Sequence, residues 1–292
     1  MLGVGLALLS AMFFGVLFVV TRIGLRRAPH AVAGAFVTDL VALAVSAVVA
    51  AAADPAGYAG LRIGDLWPFL AAGTLAPGLS QALFVLAVRG AGPSRASVVM
   101  GTTPIVSALA AIAILGEPAR AALLAGTVLV VGGAVSLGWD RSRPEGFRAS
   151  GLAFAFLCVL FFASRDQLVR WAASGAKVPP LQAATAVLAA ASVTTLAVLA
   201  ATERRRLPEL VGRAAVRFLP AGIAIGFAYD ALTEAFARSR VGVVAPLNAT
   251  QAIWGVGLSV VVLGRSEMVS RRLVAAAALI VAGAAVIGAY GG

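Results

Sequence analysis

The sequence predicts an all-α polytopic membrane protein with ten transmembrane helices arranged as two inverted five-helix repeats. Three observations lead there. Of the 292 residues 61% are hydrophobic and 12% charged, whereas a soluble domain carries about 25% charged residues. Apolar runs of roughly 20 residues, the length that crosses a hydrocarbon core of about 30 Å, recur along the whole chain. The stretch Ala96–Gly138 also returns, more loosely, at Gly242–Gly288. At an offset of 150, Glu117 falls on Glu267, Leu123 on Leu273, Leu129 on Leu279, Val131 on Val281, Gly133 on Gly283 and Gly138 on Gly288. A repeat of that length marks a duplicated unit.

Ten spans follow, at 2–21, 31–53, 66–88, 93–115, 119–139, 150–170, 180–201, 215–237, 241–263 and 272–290. Backbone polar groups in a bilayer must be satisfied within their own segment, so the spans are helices. The longer breaks are Ala53–Asp65, Asp140–Ala149 and Thr202–Ala214. The polar DRSRPEG run, Asp140–Gly146, divides a first repeat (1–139) from a second (150–292), with 140–149 as the loop between them. The first span is echoed as well. At an offset of 148, Gly3 matches Gly151, Ala7 matches Ala155, Phe13 and Phe14 match Phe161 and Phe162, and Arg22 matches Arg170. Five spans per repeat is an odd number, so the second copy enters the membrane from the opposite side.

Local signals agree. Gly3, Ala7, Ala11 and Gly15 form a small-residue stripe that lets a neighbouring backbone approach. Gly116 suits a left-handed cap on the fourth span, Glu117 the positive end of the fifth, and Pro118 its first turn. Trp67, Trp139, Trp171 and Tyr290 fall at span ends, where amphipathic rings prefer to lie. Met1 leads directly into apolar residues, which reads as a retained helix and not a cleaved signal.

Composition excludes several function classes. The net charge is +11, but the basic residues are scattered between apolar runs, so no nucleic acid partner is expected. Cys158 and His30 are each the only residue of their type, so no disulfide or multi-His metal site is expected. The sequence contains neither GxxxxGK[ST] nor GxSxG, and no enzyme activity or cofactor is expected.

The ten spans, the LGEP turn at Leu115–Pro118, Pro104 thirteen residues before Glu117, and the Gly-rich run GTVLVVGGAVSLG after it resemble an EamA-type transporter of the drug/metabolite transporter superfamily. The resemblance covers essentially the whole chain. It implies a ten-helix secondary transporter with a cavity between its halves, many members exporting amino acids or other small metabolites. The second repeat departs from the pattern: its turn reads LGRSE (Leu263–Glu267), and Ala252 stands where the first repeat has Pro104.

Polar groups inside apolar spans are costly and mark candidate pathways. Arg165, Asp230 and Asn248 lie roughly 8–11 Å inside the surface that carries the N-terminus, counted at 1.5 Å per residue. Asp39, Gln81 and Thr102 lie at similar depth from the other side. Arg165 is expected to face inward, meeting Asp230 or a substrate carboxylate; the competing readings are a purely structural pair or a snorkelling arginine. Asp166 and Arg170, spaced i, i+4, are expected to pair, as are Glu234 and Arg238. Asp230 is the expected proton-coupling group, because burial makes a carboxylate costly as an anion, and Asp39 is a second candidate. Pro246 is expected to loosen its helix near Asn248, Thr250 and Gln251. Trp254 is a candidate wall of a binding site, and Thr102 and Thr103 before Pro104 occupy the related place in the first repeat.

The expected function is secondary-active transport of a small metabolite, an exporter by alternating access and proton-coupled. Multidrug efflux, flipping of a lipid-linked substrate, or a non-transporting scaffold or sensor are the alternatives. The expected partners are a small-molecule substrate and the lipid bilayer, in the inner membrane, as a monomer or homodimer. Arginine placement and the resemblance disagree on orientation. Most arginines lie beside loops after odd-numbered spans, which places both termini outside, whereas the resemblance implies both inside.

Overall fold

The computed structural model describes residues 1–28, 30–59, 61–91, 96, 99–138, 149–175, 177–263 and 271–290. Among these, all regular structure is helical. The first part of the chain forms α1 (Leu2–Arg27), α2 (Ala31–Ala53), α3 (Ile63–Gly73), α4 (Ser80–Ala91), α5 (Thr103–Leu115) and α6 (Ala121–Gly138). The second forms α7 (Ala149–Ser174), α8 (Pro180–Glu203), α9 (Leu207–Arg238), α10 (Val241–Asn248), α11 (Gln251–Leu263) and α12 (Arg271–Tyr290). Among the described residues, five stretches are long and apolar enough to cross a membrane: Leu2–Arg27, Ala31–Ala53, Ile63–Ala87, Ala149–Ser174 and Pro180–Arg238, the last covering both α8 and α9. Thr103–Leu115, Ala121–Gly133 and Ala278–Ile287 are apolar but shorter.

Several expected spans are interrupted. The third bends through a π-helical segment, Thr74–Leu79, between α3 and α4, where Pro77 has no N–H to give. The ninth breaks between α10 and α11 at Ala249 and Thr250, three residues after Pro246. The fourth breaks at Gly101 and Thr102, just before α5. These two breaks correspond: Thr102 donates to the Val99 carbonyl at 2.7 Å and Thr250 to the Leu247 carbonyl at 2.7 Å, each position shifted by 148. The expected loop Thr202–Ala214 is instead helical, through a 3-10 turn at Arg204–Arg206 and the start of α9. Pro208 suits its first turn, and Glu209 pairs with Arg206 and Arg213 at i, i+3 and i, i+4, so a polar surface helix forms where apolar patterning stops. Pro118 does not open α6, which begins three residues later at Ala121. Gly116 is left-handed at φ 66°, as expected of a cap. Trp67 and Trp171 lie against each other, ring centres 5.8 Å apart and planes tilted by 55°. Trp139, Asp140–Gly146 and Glu267 lie outside the described residues.

Packing repeats itself with the two parts exchanged. Ser10 on α1 donates to the Ala228 carbonyl of α9 at 2.9 Å, and Cys158 on α7 donates to the Ser80 carbonyl at the head of α4 at 3.4 Å. Both ends differ by 148. Gly3 likewise lies against Ser239, and Gly151 against Ala91. Helix directions follow from such contacts. Along α1, Gly3, Ser10 and Gly24 meet Ser239, Ala228 and Phe218, so α1 runs antiparallel to α9. Along α7, Arg165 and Arg170 meet Tyr229 and Phe236, so α7 runs with α9. The equivalent helices α1 and α7 therefore point in opposite directions. Two further equivalent pairs pack on each other antiparallel: α2 on α8, through Ser46 with Thr185 and Asp54 with Gln182, and α6 on α12, through Gly126 with Ile287 and Gly133 with Ile280.

Beside Asp230, α2 and α9 approach closely through two glycines. A Cβ at Gly222 would meet the Val41 side chain and stand 2.9 Å from the Thr38 carbonyl; one at Gly226 would stand 2.9 Å from Val45. Such spacing needs small residues, since apolar surface gives helices no reason to associate in lipid. Gly222→Ala should cost about 1–3 kcal/mol through overpacking. Gly132→Ala on α6, where no atom lies within 4 Å of the new Cβ, should be neutral or gain up to about 1 kcal/mol from helix propensity. Thermal melts of the two purified variants check the contrast.

Candidate functional site

The long apolar helices carry few charges, and the structure brings several of them to the seam between the two parts of the chain. Arg165, on α7, is 5% exposed. Its Nε and Nη2 donate to Oδ1 of Asp166 at 3.0 and 2.7 Å, and its Nη1 donates to the Tyr229 hydroxyl of α9 at 3.0 Å. One N–H on each of Nη1 and Nη2 is left over from the five of a guanidinium. The Phe162 ring lies 5.0 Å from the guanidinium carbon and the Tyr229 ring 5.7 Å, both within cation–π range. The other oxygen of Asp166 accepts from Ser107 of α5 at 2.8 Å, and Gln167 donates to the Ser107 carbonyl at 2.9 Å. One buried arginine thereby ties α5, α7 and α9 into a single network.

This arrangement corrects two expectations. Arg165 does not meet Asp230; it bonds to its own neighbour Asp166 and to Tyr229. Adjacent side chains leave a helix in different directions, but the long arginine stem folds over far enough to reach across. Asp166 accordingly does not pair with Arg170. Arg170 instead donates from Nη1 to the Phe236 carbonyl at 2.7 Å, with Nε 3.8 Å from Glu117. The expected Glu234–Arg238 pair does form.

Asp230, on α9, is 6% exposed. Its Oδ1 accepts from Ser46 of α2 at 2.5 Å, while its Oδ2 is buried without a partner. Asp39, two turns before Ser46 on the same face of α2, is fully buried and both its oxygens lack a hydrogen bond. The nearby Thr195 hydroxyl is committed to the Ala191 and Ser192 carbonyls of its own helix. An anion whose nearest donor is a hydroxyl shared with two carbonyls is expensive in such a place.

The remaining candidates are scattered. Thr102 and Thr103 bond back to the Val99 and Met100 carbonyls. Asn248, at the end of α10, has a buried side-chain oxygen without a partner. Gln81 and Gln251 are half-buried and make no side-chain hydrogen bond among the described residues. Trp254 is 43% exposed, and its stem packs on Gly15 of α1. An open cleft of about 400 Å³ lies elsewhere, at the helix ends, lined by Glu117, Arg170, Trp171, Ser174 and Arg240.

Sequence reasoning missed Ser46, Ser107, Thr185 and Tyr229. Signals for two of them were present. Ser46 is seven residues from Asp39, so it shares that helical face. Tyr229 lies 148 positions after Gln81, so both copies are polar there.

Glu117 acts across the seam and not at the head of α6. Its Oε1 accepts from the Val241 N–H at 2.9 Å and its Oε2 from the Gly242 N–H at 3.0 Å. These are the first two amides of α10, which have no partner within their own helix and sit where a negative charge is favoured. Arg170 meanwhile takes a carbonyl from the last turn of α9. The α9–α10 junction is therefore held from both sides. Glu117→Ala should cost about 1–2 kcal/mol, as loss of a helix cap does, and should speed amide hydrogen exchange at Val241 and Gly242. Mass-spectrometric exchange, with a thermal melt, checks both.

The model of the EamA-like transporter family matches the sequence twice, over residues 1–139 and 149–289. One solved crystal structure superposes on the chain with a TM-score of 0.74 at 21% identity, covering 98% of this chain and 97% of that one. At that identity the likeness speaks for the fold alone. No curated protein matches the sequence. Two family matches that between them span nearly the whole chain, on a bundle of long apolar helices, make this protein a multi-pass membrane protein belonging to the EamA-like transporter family.

Proposed function

We propose that the chain is a secondary-active exporter of a small metabolite such as an amino acid, working by alternating access and driven by protons. Each repeat supplies five membrane crossings, residues 1–139 and 150–292, and the second is inverted relative to the first. The reading is supported by the exchanged contacts and by the opposed directions of α1 and α7. The observation that carries the mechanism is Asp230: a buried carboxylate at the seam, bonded to the other repeat through one oxygen and bare on the other.

Asp230 serves proton and substrate in turn. A carboxyl holding a proton has no charge to offer an ammonium group, and one holding an ammonium group resists the proton. Competition of that kind exchanges one for the other across the membrane, because only a ligand with unequal affinity for two states shifts their balance. Arg165 offers its two spare N–H groups to a substrate carboxylate, flanked by the aromatic faces of Phe162 and Tyr229. Asp39 is a second proton acceptor. Gln81, Thr102, Thr103, Asn248, Gln251 and Trp254 line the path in other states of the cycle. The protein works in the inner membrane as a monomer or homodimer, its only small-molecule partner the substrate.

Purified protein in liposomes carrying a pH gradient, tested against radiolabelled amino acids and related metabolites, tests the reading. Proton-driven flux of at least one is expected, and Asp230→Asn should reduce it to the level of empty liposomes. A wild-type flux that Asp230→Asn leaves intact removes Asp230 from the mechanism. No flux across the whole panel leaves a non-transporting scaffold as the better description.

A further inference from the structure

We propose that Tyr58, Thr185 and Ser46 form a hydroxyl relay that carries protons between water and the Asp230 carboxylate. The inference rests on the reading of Asp230 as the coupling group and adds the route by which its proton arrives. Tyr58 stands in the turn Pro55–Tyr58 directly after α2 and is 40% exposed. Its hydroxyl lies 3.3 Å from the hydroxyl of Thr185 on α8, which lies 3.3 Å from that of Ser46 on α2. Ser46 donates to Asp230 on α9 at 2.5 Å. Exposure falls along the series, from an open tyrosine through a half-buried threonine to a serine with none. Ser46 lies seven residues inside the end of α2, about 11 Å at 1.5 Å per residue, a distance that bare backbone gives a proton no means to cross.

The orientation of Ser46 is the telling detail. Hydroxyls on these helices mostly bond back to their own helix: Thr127 to Leu123, Ser192 to Leu188, Thr194 to Ala190, Thr195 to Ala191 and Thr233 to Tyr229. Ser46 instead aims between helices, with a hydroxyl on one side and a carboxylate on the other. Thr185 is poised between both uses, since it also reaches the Leu181 carbonyl at 3.0 Å.

A hydroxyl has one proton to give and lone pairs to receive another. A proton taken from water by Tyr58 lets the tyrosine pass its own to Thr185, Thr185 to Ser46, and Ser46 to Oδ1 of Asp230. Every hydroxyl ends with one proton, no bond to carbon changes, and the net transfer is one proton from water to the carboxylate. Rotation of each hydroxyl resets the relay. Among the described residues, the other buried ionisable groups on α9 and the elements packed against it are Asp39 on α2, Cys158, Arg165 and Asp166 on α7, and Tyr229 on α9 itself; Arg26, Arg27, Arg170, Glu203, Glu234 and Arg238 stand towards the helix ends. None of them bonds to Asp230, whose only described side-chain hydrogen bond is with Ser46.

The test is time-resolved infrared spectroscopy of the full chain in liposomes after a pH jump, with the proton as the probe. The carboxyl stretch of Asp230 is assigned by its disappearance in Asp230→Asn. In Ser46→Ala and in Thr185→Val, which leaves the carboxylate's own contact intact, the band should rise about a hundredfold more slowly than in wild type, the lower end for a lost proton-transfer group. Thr185→Ser, which keeps the hydroxyl, should restore the wild-type rate. Unchanged rates in both Ser46→Ala and Thr185→Val overturn the relay while leaving Asp230 as the coupling group. The absence of any band that depends on Asp230 removes the relay's terminus and sinks the coupling reading with it.

Discussion

The approach of α2 to α9 is the contact on which the rest depends. Gly222 and Gly226 present bare backbone to Thr38, Val41 and Val45, and one turn beyond Gly226 Asp230 accepts from Ser46, the residue after Val45, at 2.5 Å. A larger side chain at either glycine pushes the axes apart and breaks that hydrogen bond first, because a short polar contact tolerates less displacement than apolar packing does. In lipid the loss is not made good by water. The same geometry recurs with the parts exchanged, where Gly78 lies against Thr194 of α8. The scaffold is thus set by small residues, and its polar contacts are a consequence of how closely the backbones lie.

Backbone and chemistry obey different symmetries. The contacts of Ser10 and Cys158, of Gly3 and Gly151, and of Thr102 and Thr250 are paired at an offset of 148. The buried charges are not. Positions matching Asp39, Arg165, Asp166 and Asp230 are Val187, Leu17, Phe18 and Ala82. A structural role for buried charge would serve both copies equally and invite its retention in both. Charges kept in one copy only are cheaper overall, and they suit the single site proposed for them where a symmetric set would suit two.

The sequence made the fold legible because apolar run length and repetition are both one-dimensional signals. Span edges were read closely where a run was continuous, as in α2, whose bounds are those expected. They failed where proline interrupts a run without ending the crossing, at Pro77 and Pro246, and where a polar helix continues past the apolar stretch, at Arg204–Ala214. The buried charges were legible as residues, but their pairings were not. Arg165 and Asp230 stand at comparable depth, which invited a pair between them, but depth fixes only one coordinate. Rotation about each helix decided instead for Asp166 and Tyr229. Glu117 was visible as a cap, yet no local rule assigns a carboxylate to a helix 124 positions away.

In the proposed alternating-access cycle, that distant cap constrains how the two repeats would move. Glu117 belongs to the α5–α6 turn of one repeat and holds the first amides of α10 in the other, while Arg170 holds the last turn of α9. Charge-assisted hydrogen bonds of this kind are about twice as strong as neutral ones, and two from one carboxylate resist rotation as well as separation. A rocking motion that opens this end must either release both bonds or carry the α5–α6 turn along with α10. Carrying it costs less, because the turn is joined to the rest of its repeat by a left-handed glycine at Gly116, and a residue in that conformation absorbs a change in direction without a side-chain clash. The rigid unit at this end then includes the α5–α6 turn together with the α9–α10 junction, and its boundary crosses the line between the repeats.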